Sequence, residues 1–446
     1  MLEECWAALG GDPDAMSGLE VLDGGAWFGG PLDVDGLALG ACGSVLLAAA
    51  ELAEARGLGR PAASVSASHL AVSFVSERHA RLRGEPSGAG FAPMSRMLRC
   101  AGGGWARTHG NYPHHEAALC RALGIGASAG ELEAAARSLD AVELESAVVE
   151  AGGAAAALRT EAEWAAQPAG AAVARTPLVE WVNGIPPAPP APPARPVPAT
   201  SASASRPAAG LRVLDLTRVI AGPVAGRTLA ALGAEVLRVD PPGLPELPEA
   251  HIDTGPGKRS ALLDLADAER RDALLAGADV LLTGYRPGAL DRFGLDRHPH
   301  LVHVSLSAWG FGGPWAGRRG FDSLVQVATG IAAALAAPDG TPGVLPAQAL
   351  DHGTGHLMAA AALRGLAARA RAQGPRSARL SLARTAAALL ATPRRDEPPR
   401  PADPDRFRVR FGDLELIAPP GALDGVPLAW AHGPRPLGGD PPAWPA

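Results

Sequence analysis

Between residues 211 and 305 the chain alternates short apolar runs with amphipathic ones, and this rhythm limits the possible folds more than any other feature. Residues 212–216 (RVLDL), 235–239, 260–264, 279–282 and 302–305 read as strands. Residues 223–232 and 266–276 read as helices between them. The first is opened by Gly222-Pro223, where proline suits a first turn. Strands and helices in this order predict an α/β fold, a doubly wound and mainly parallel Rossmann-like sheet with a second, smaller α/β domain. Ligands of such a sheet bind at the carboxyl ends of its strands.

At 446 residues the chain exceeds one ordinary core, and 47% hydrophobic content is enough to fill two. Residues 185–209 read IPPAPPAPPARPVPATSASASRPAA. Proline favours extended backbone and the Ser/Ala run is flexible, so a linker is expected at 186–208. It divides an N-terminal region, 1–185, from a Rossmann-like domain at 209–395. A Pro-rich stretch then sets off a tail at 396–446. In the N-terminal region, 46–55 and 117–123 read as helices. Residues 131–151 read as two helices broken around Leu139-Asp140, and 62–68 as a strand.

A faint repeat crosses the linker. The Ala-rich helix at 355–370 is followed by Gly374-Pro375, a strand at 378–382 and a further apolar stretch. Residues 43–55, Gly59-Arg60-Pro61, 64–66 and 70–75 follow the same order. In this register the partner of Asp351 falls at Leu39 or Gly40, neither of them an acid.

The net charge of −6 supplies no field that would draw nucleic acid or an acidic membrane. Cys5, Cys42, Cys100 and Cys120 form no CxxC pair, which points to reduced thiols. The opening Met1-Leu2-Glu3-Glu4 is acidic where a signal peptide is basic. Apolar stretches such as 36–50 read as too short to span a bilayer. A cytoplasmic protein with no membrane or nucleic-acid partner is expected.

Asp351 follows Pro346-Ala-Gln-Ala-Leu350 and precedes His352-Gly353-Thr354-Gly355 and an Ala-rich helix. An Asp there suits the N-cap, and the helix start would keep it ionised. A nucleophilic carboxylate needs to be ionised and stripped of water, so the place fits a nucleophile as well as a purely structural cap. His352 and His356 are four apart, but HGTGH lacks the glutamate of HExxH, so no metal site is expected there. The His114-His115 pair reads as polar surface or core.

The ordered series RVLDLTRVIAGPVAGRTLAALGAEVLRVD, GKRSALLDL, ADVLLTGYRPGALDRFGLD, SAWGFGGPWAGRRGFDSLVQVATG and LPAQALDHGTGHLMAAAALRGL resembles the family III CoA-transferases, the CaiB/BaiF family. GWARTHGNYPHHEAALCRALGI and AALRTEAEWAAQPAG resemble that family's small domain, which here precedes the nucleophile segment instead of following it. The resemblance implies that Asp351 is the nucleophile and that Ile220, Ala221, Leu263, Gly284, Tyr285 and Arg292 contact CoA. It implies an acyl-CoA and a free carboxylic acid as substrates, no permanently bound cofactor and no metal. It also implies a homodimer, although this chain holds parts of two units. The racemase branch of the family has a His before the Asp of a GHD-like motif. Here Gly320-Phe321-Asp322 stands in that place, which argues against racemisation. Gly102-Gly103-Gly104 is the one candidate for a glycine-rich covering loop.

Overall fold

The computed structural model describes residues 1–88, 90–182, 202–244, 246–374, 376–395 and 397–445. Most of the expected linker lies outside the described residues. At its end, Ala208 and Ala209 are buried, and the Ala208 N–H donates to the Leu232 carbonyl.

The first half contributes helix α1 (Val34–Ala55), strand β1 (Ala63–Ser66), helix α2 (Ala67–Ser73), strand β2 (Trp105–Thr108), helix α3 (Pro113–Leu123) and strand β3 (Glu180–Val182). The helical stretch at 131–151 breaks where expected. Asp140 caps the second helix, Ala141–Glu150, in a reciprocal capping box with Glu143. The second half contributes β4 (Arg212–Leu216), α4 (Ala221–Ala231), β5 (Glu235–Asp240), β6 (Lys258–Leu262), β7 (Val280–Thr283), β8 (Val302–Ser307), α5 (Asp322–Thr329), α6 (Ala349–Ala370), β9 (Ser377–Ser381) and α7 (Leu382–Leu390).

These strands form one seven-stranded sheet in the order β6-β5-β4-β7-β8-β9-β3. All neighbours run parallel except β3, which pairs antiparallel with β9. Five residues of β5 are buried in a row, as expected of a strand covered on both faces. Because β3 comes from the first half, the sheet itself crosses the linker. One hydrophobic core also runs through both halves, from Cys5 to Trp430.

The repeat is visible in three dimensions. Helices α1 and α6 each have 22 residues and each ends on an arginine C-cap, Arg56 and Arg371. A short strand follows each. The next helix is then capped by Ser66 in one copy and Ser381 in the other. Both pairs differ by 315 positions (371 − 56 and 381 − 66), so Asp351 stands opposite Gly36 rather than Leu39 or Gly40. Its neighbour Asp35 accepts the N–H groups of Trp27 and Phe28. The two long helices pack against each other.

The expected start of α1 was too late, because Gly36, Gly40 and Gly43 dilute its helical pattern. Those glycines serve packing: a Cβ at Gly40 would stand 3.0 Å from Cys5 Sγ. The full helix is long and apolar enough to cross a bilayer by length and composition, which corrects the expectation of short apolar stretches only. In the structure 89% of its apolar window is buried inside the protein. Beyond residue 396, strands Arg408–Phe411 and Leu414–Ile417 form a hairpin that joins Arg81–Leu82 of the first half. The Trp430 indole donates to the Arg227 carbonyl on α4.

Candidate active site

Asp351 lies in the first turn of α6, but it does not cap that helix. The N-cap is Gln348, with no side-chain bond, and the N–H groups of Leu350 and Asp351 donate instead to Asp322 Oδ2, at 2.9 and 3.0 Å. Asp322 opens α5 and therefore caps α6 from a different element, occupying two of the orphan donors of a helix start. Its other oxygen accepts Gln326 Nε2 at 2.5 Å, and Gln326 in turn receives the Leu345 N–H.

This arrangement reverses the expected charge state. Asp351 keeps 5% of its surface exposure, and no hydrogen-bond donor reaches its carboxylate among the described residues. Burial drives its pKa well above the usual carboxylate range, and the negative neighbours Asp322 and Glu77 push it further the same way. The helix start alone would favour the anion, but burial and two acids outweigh it. Burial raises Asp322 as well, to about 6, but three donors hold it back, so Asp351 is the harder of the two to ionise.

Glu77 enters from the first half, on the short turn Ser76–Arg78 that follows α2. Its Oε2 lies 3.3 Å from His352 Nε2, and both groups are buried. The turn is fixed by Ser76, whose hydroxyl bonds Asp253 and receives Arg227 from α4. His352 and His356 both stack on Phe74, and the Nδ1 of His356 bonds the His352 carbonyl at 2.8 Å. Burial holds His356 down at about 3, so it is neutral.

Ile220 and Ala221 begin α4 at the carboxyl end of β4. The helix starts at Ala221, two residues earlier than expected, with Pro223 in its first turn. A Cβ at Gly355 of α6 would stand 2.3 Å from the Ala221 carbonyl oxygen. Asp351 and Gly355 are one turn apart on a helix and share a face, so glycine at 355 lets the 220–221 turn close on the face of α6 that carries Asp351. Gly355→Ala is expected to cost about 1–3 kcal/mol by overpacking, read by urea unfolding.

The remaining expected contacts also sit at strand ends. Leu263 follows β6, and its N–H donates to the Asp240 carbonyl. Gly284 and Tyr285 follow β7, and a Cβ at Gly284 would rest 3.5 Å from Thr217. Leu263 and Tyr285 share one apolar cluster. Arg292 is exposed, with its guanidinium 4.6 Å from the centre of the Phe293 ring. The structure thus packs Ala221 on Gly355, one turn along α6 from Asp351, and puts Leu263 and Tyr285 in one apolar cluster, while Arg292 is exposed.

Sequence reasoning missed the partners of Asp351. Asp322 was noticed only as the neighbour of Phe321, and Glu77 lies 274 positions upstream of Asp351 in no motif. It also missed a cationic group. His115 is depressed to about 3 by burial first, then by His114, Arg319, Arg218 and Arg286. Arg286 donates to the Gly317 carbonyl. Phe321, in the place of the racemase His, stacks face to face on the His109 ring at 3.5 Å. Gly102 and Gly103 form an exposed turn, Ala101–Gly103, leading into β2.

Residues 209–396 match the sequence model of a family described as CoA-transferase family III. A probable fatty acyl-CoA transferase of Mycobacterium tuberculosis is 34% identical over 189 residues, 37% of this chain and 48% of that protein. A succinate–glutarate CoA-transferase of Agrobacterium fabrum is 34% identical over 165 residues, 30% of this chain and 41% of that protein. A crystal structure of a CAIB/BAIF family protein from Brucella suis aligns at 26% identity and a TM-score of 0.38, covering 48% of this chain and 66% of that one. The chain spans about half the length, or less, of these two curated relatives. The segment that matches the family model carries Asp351, Asp322 and the turn at Ile220.

Proposed function

We propose that the chain transfers CoA from an acyl-CoA thioester to a free carboxylic acid, with Asp351 as nucleophile. One observation carries the reading: a buried carboxylate without donors among the described residues stands one helical turn from Gly355, on which the 220–221 turn packs, within the segment that matches the family III model. A carboxylate stripped of water and of hydrogen bonds is a stronger nucleophile than a solvated one.

In the proposed cycle ionised Asp351 attacks the thioester carbonyl. The C–S bond breaks, CoA leaves as thiolate, and a mixed acyl–aspartyl anhydride remains. The thiolate then attacks the aspartyl carbonyl, releases the first acid and leaves an aspartyl-CoA thioester. The acceptor carboxylate attacks that thioester and forms a second anhydride. CoA thiolate attacks its acyl carbonyl, giving the new acyl-CoA and free Asp351. No metal or redox group takes part. Leu263 and Tyr285 offer the nucleotide an apolar wall, and the cations around Arg286 and Arg319 match the charge of its phosphates. Anhydrides hydrolyse, so the contribution of the first half, including Glu77 packed against His352, is to exclude water.

The reading predicts a pH profile. A proton held above the ordinary carboxylate range keeps Asp351 neutral and inert at low pH, so kcat/KM climbs as pH rises through the raised value. Asp322→Asn removes one of the two negative neighbours, and the limb moves to lower pH. A limb unmoved in that variant would separate Asp322 from the nucleophile. The reaction itself is tested by incubating the purified chain with a panel of acyl-CoA esters and acids and weighing the products by mass spectrometry.

A further inference from the structure

Val219 has φ of +72°. A β-branched residue rarely adopts this left-handed region, because its side chain crowds its own backbone. Such strain persists only where the surroundings hold it. Val219 directly precedes Ile220 and Ala221, so the strain sits in the turn that approaches Gly355 and Asp351.

What holds it is visible. The Val219 N–H donates to Glu246 Oε2 at 2.9 Å. Glu246 is buried and locked by three more donors. Arg238 Nη2 reaches Oε2 at 2.9 Å, and the Leu247 N–H reaches Oε1 at 2.9 Å. The Tyr112 hydroxyl reaches Oε1 at 2.5 Å. Arg238 is itself fixed by two bonds to Asp240 at the end of β5. Tyr112 comes from the first half, at the N-cap of α3, and the Arg218 guanidinium lies 4.9 Å from the centre of its ring.

We propose that Glu246 is a positioning residue that holds the 218–221 turn in its strained form, and that Tyr112 makes that form depend on the seating of α3. The proposal rests on the CoA-binding reading of this turn. In the held form the Ala221 carbonyl reaches the space left by Gly355. A relaxed Val219 would swing the peptide away, and the turn would no longer be shaped for the ligand beside Asp351.

The test is CoA binding by calorimetry on the full chain, with folding checked by circular dichroism. Glu246→Gln is expected to raise Kd by about tenfold, and Tyr112→Phe by a smaller factor in the same direction. Adding Val219→Gly to Glu246→Gln is expected to restore most of the affinity, because glycine adopts positive φ without strain. A merely structural role for Glu246 predicts no such rescue. Tyr112→Phe removes one hydroxyl and decides the matter if Glu246→Gln fails to fold. Wild-type binding with unchanged Kd in Tyr112→Phe, or no rescue by glycine in a folded Glu246→Gln chain, overturns the inference alone. A wild-type chain that binds no CoA overturns the functional reading and this inference together.

Discussion

Asp351→Ala is expected to abolish CoA transfer, with kcat lower by about 10⁴-fold or more, as for the loss of a covalent nucleophile. The Kd for CoA should change by no more than about threefold, because the turn at 220–221 and the strand ends carry the binding. Hydroxylamine added during turnover should convert the wild-type Asp351 to a hydroxamate and leave the variant unmarked. A variant with more than about a tenth of the wild-type rate would remove Asp351 from the mechanism.

The same residue predicts a gain elsewhere. The folded chain binds the Asp351 proton more tightly than the unfolded chain does. The stability this adds is fully present below the ordinary carboxylate pKa and is lost as pH rises through the raised value. At neutral pH a buried carboxylate without donors is therefore a cost. Asp351→Asn removes the ionisation and should melt about 1–3 °C higher than wild type. The difference should shrink towards low pH. A neutral-pH melting temperature below wild type would contradict the assigned charge state.

The second large effect lies beneath the 220–221 turn. Lys258 on β6 is fully buried, with Nζ 2.8 Å from Asp215 Oδ2 on β4 and 2.7 Å from the Pro223 carbonyl oxygen on α4. Gly226 makes room for the pair, since a Cβ there would stand 2.4 Å from Asp215 and 2.7 Å from Lys258. Burial pulls the lysine down to about 8, with Asp215 opposing. Lys258→Met leaves Asp215 buried without its counter-charge and should cost about 3–5 kcal/mol. The Asp215→Asn/Lys258→Met double variant should recover part of that loss, because no lone charge remains. Urea unfolding of the three chains reads both outcomes. A single variant within about 1 kcal/mol of wild type would show that the pair contributes little to stability.

The sequence made the sheet legible for a physical reason. Strands buried on both faces carry mainly apolar runs, broken by Asp215 in 213–216 and by Arg238 in 236–239, and the helix at 268–276 keeps a polar face. Boundaries were weaker where small residues dilute a pattern, as at Gly36, Gly40 and Gly43 in α1. The Pro-rich end of the chain hid a hairpin turned at Gly412, whose φ is +62°. At the site, the position of Asp351 at a helix start could be read from its neighbours. Its charge state could not, because it is set by burial first and then by Asp322 and Glu77, which come from separate elements. Nor does any local pattern announce that Glu246 reaches Val219, or that Tyr112 reaches Glu246 across 134 positions.

The pairing of α1 with α6 has a consequence for how such a protein can change over time. Two separate but identical chains would carry every substitution in both members of the pair. Here the two helix–strand–helix units are encoded independently and differ: one carries the acid, the other a glycine at the matching place. The unit with the glycine supplies a supporting surface, with Glu77 just beyond its second helix. Dilution does not separate the two, because the chain holds each at a fixed local concentration near the other.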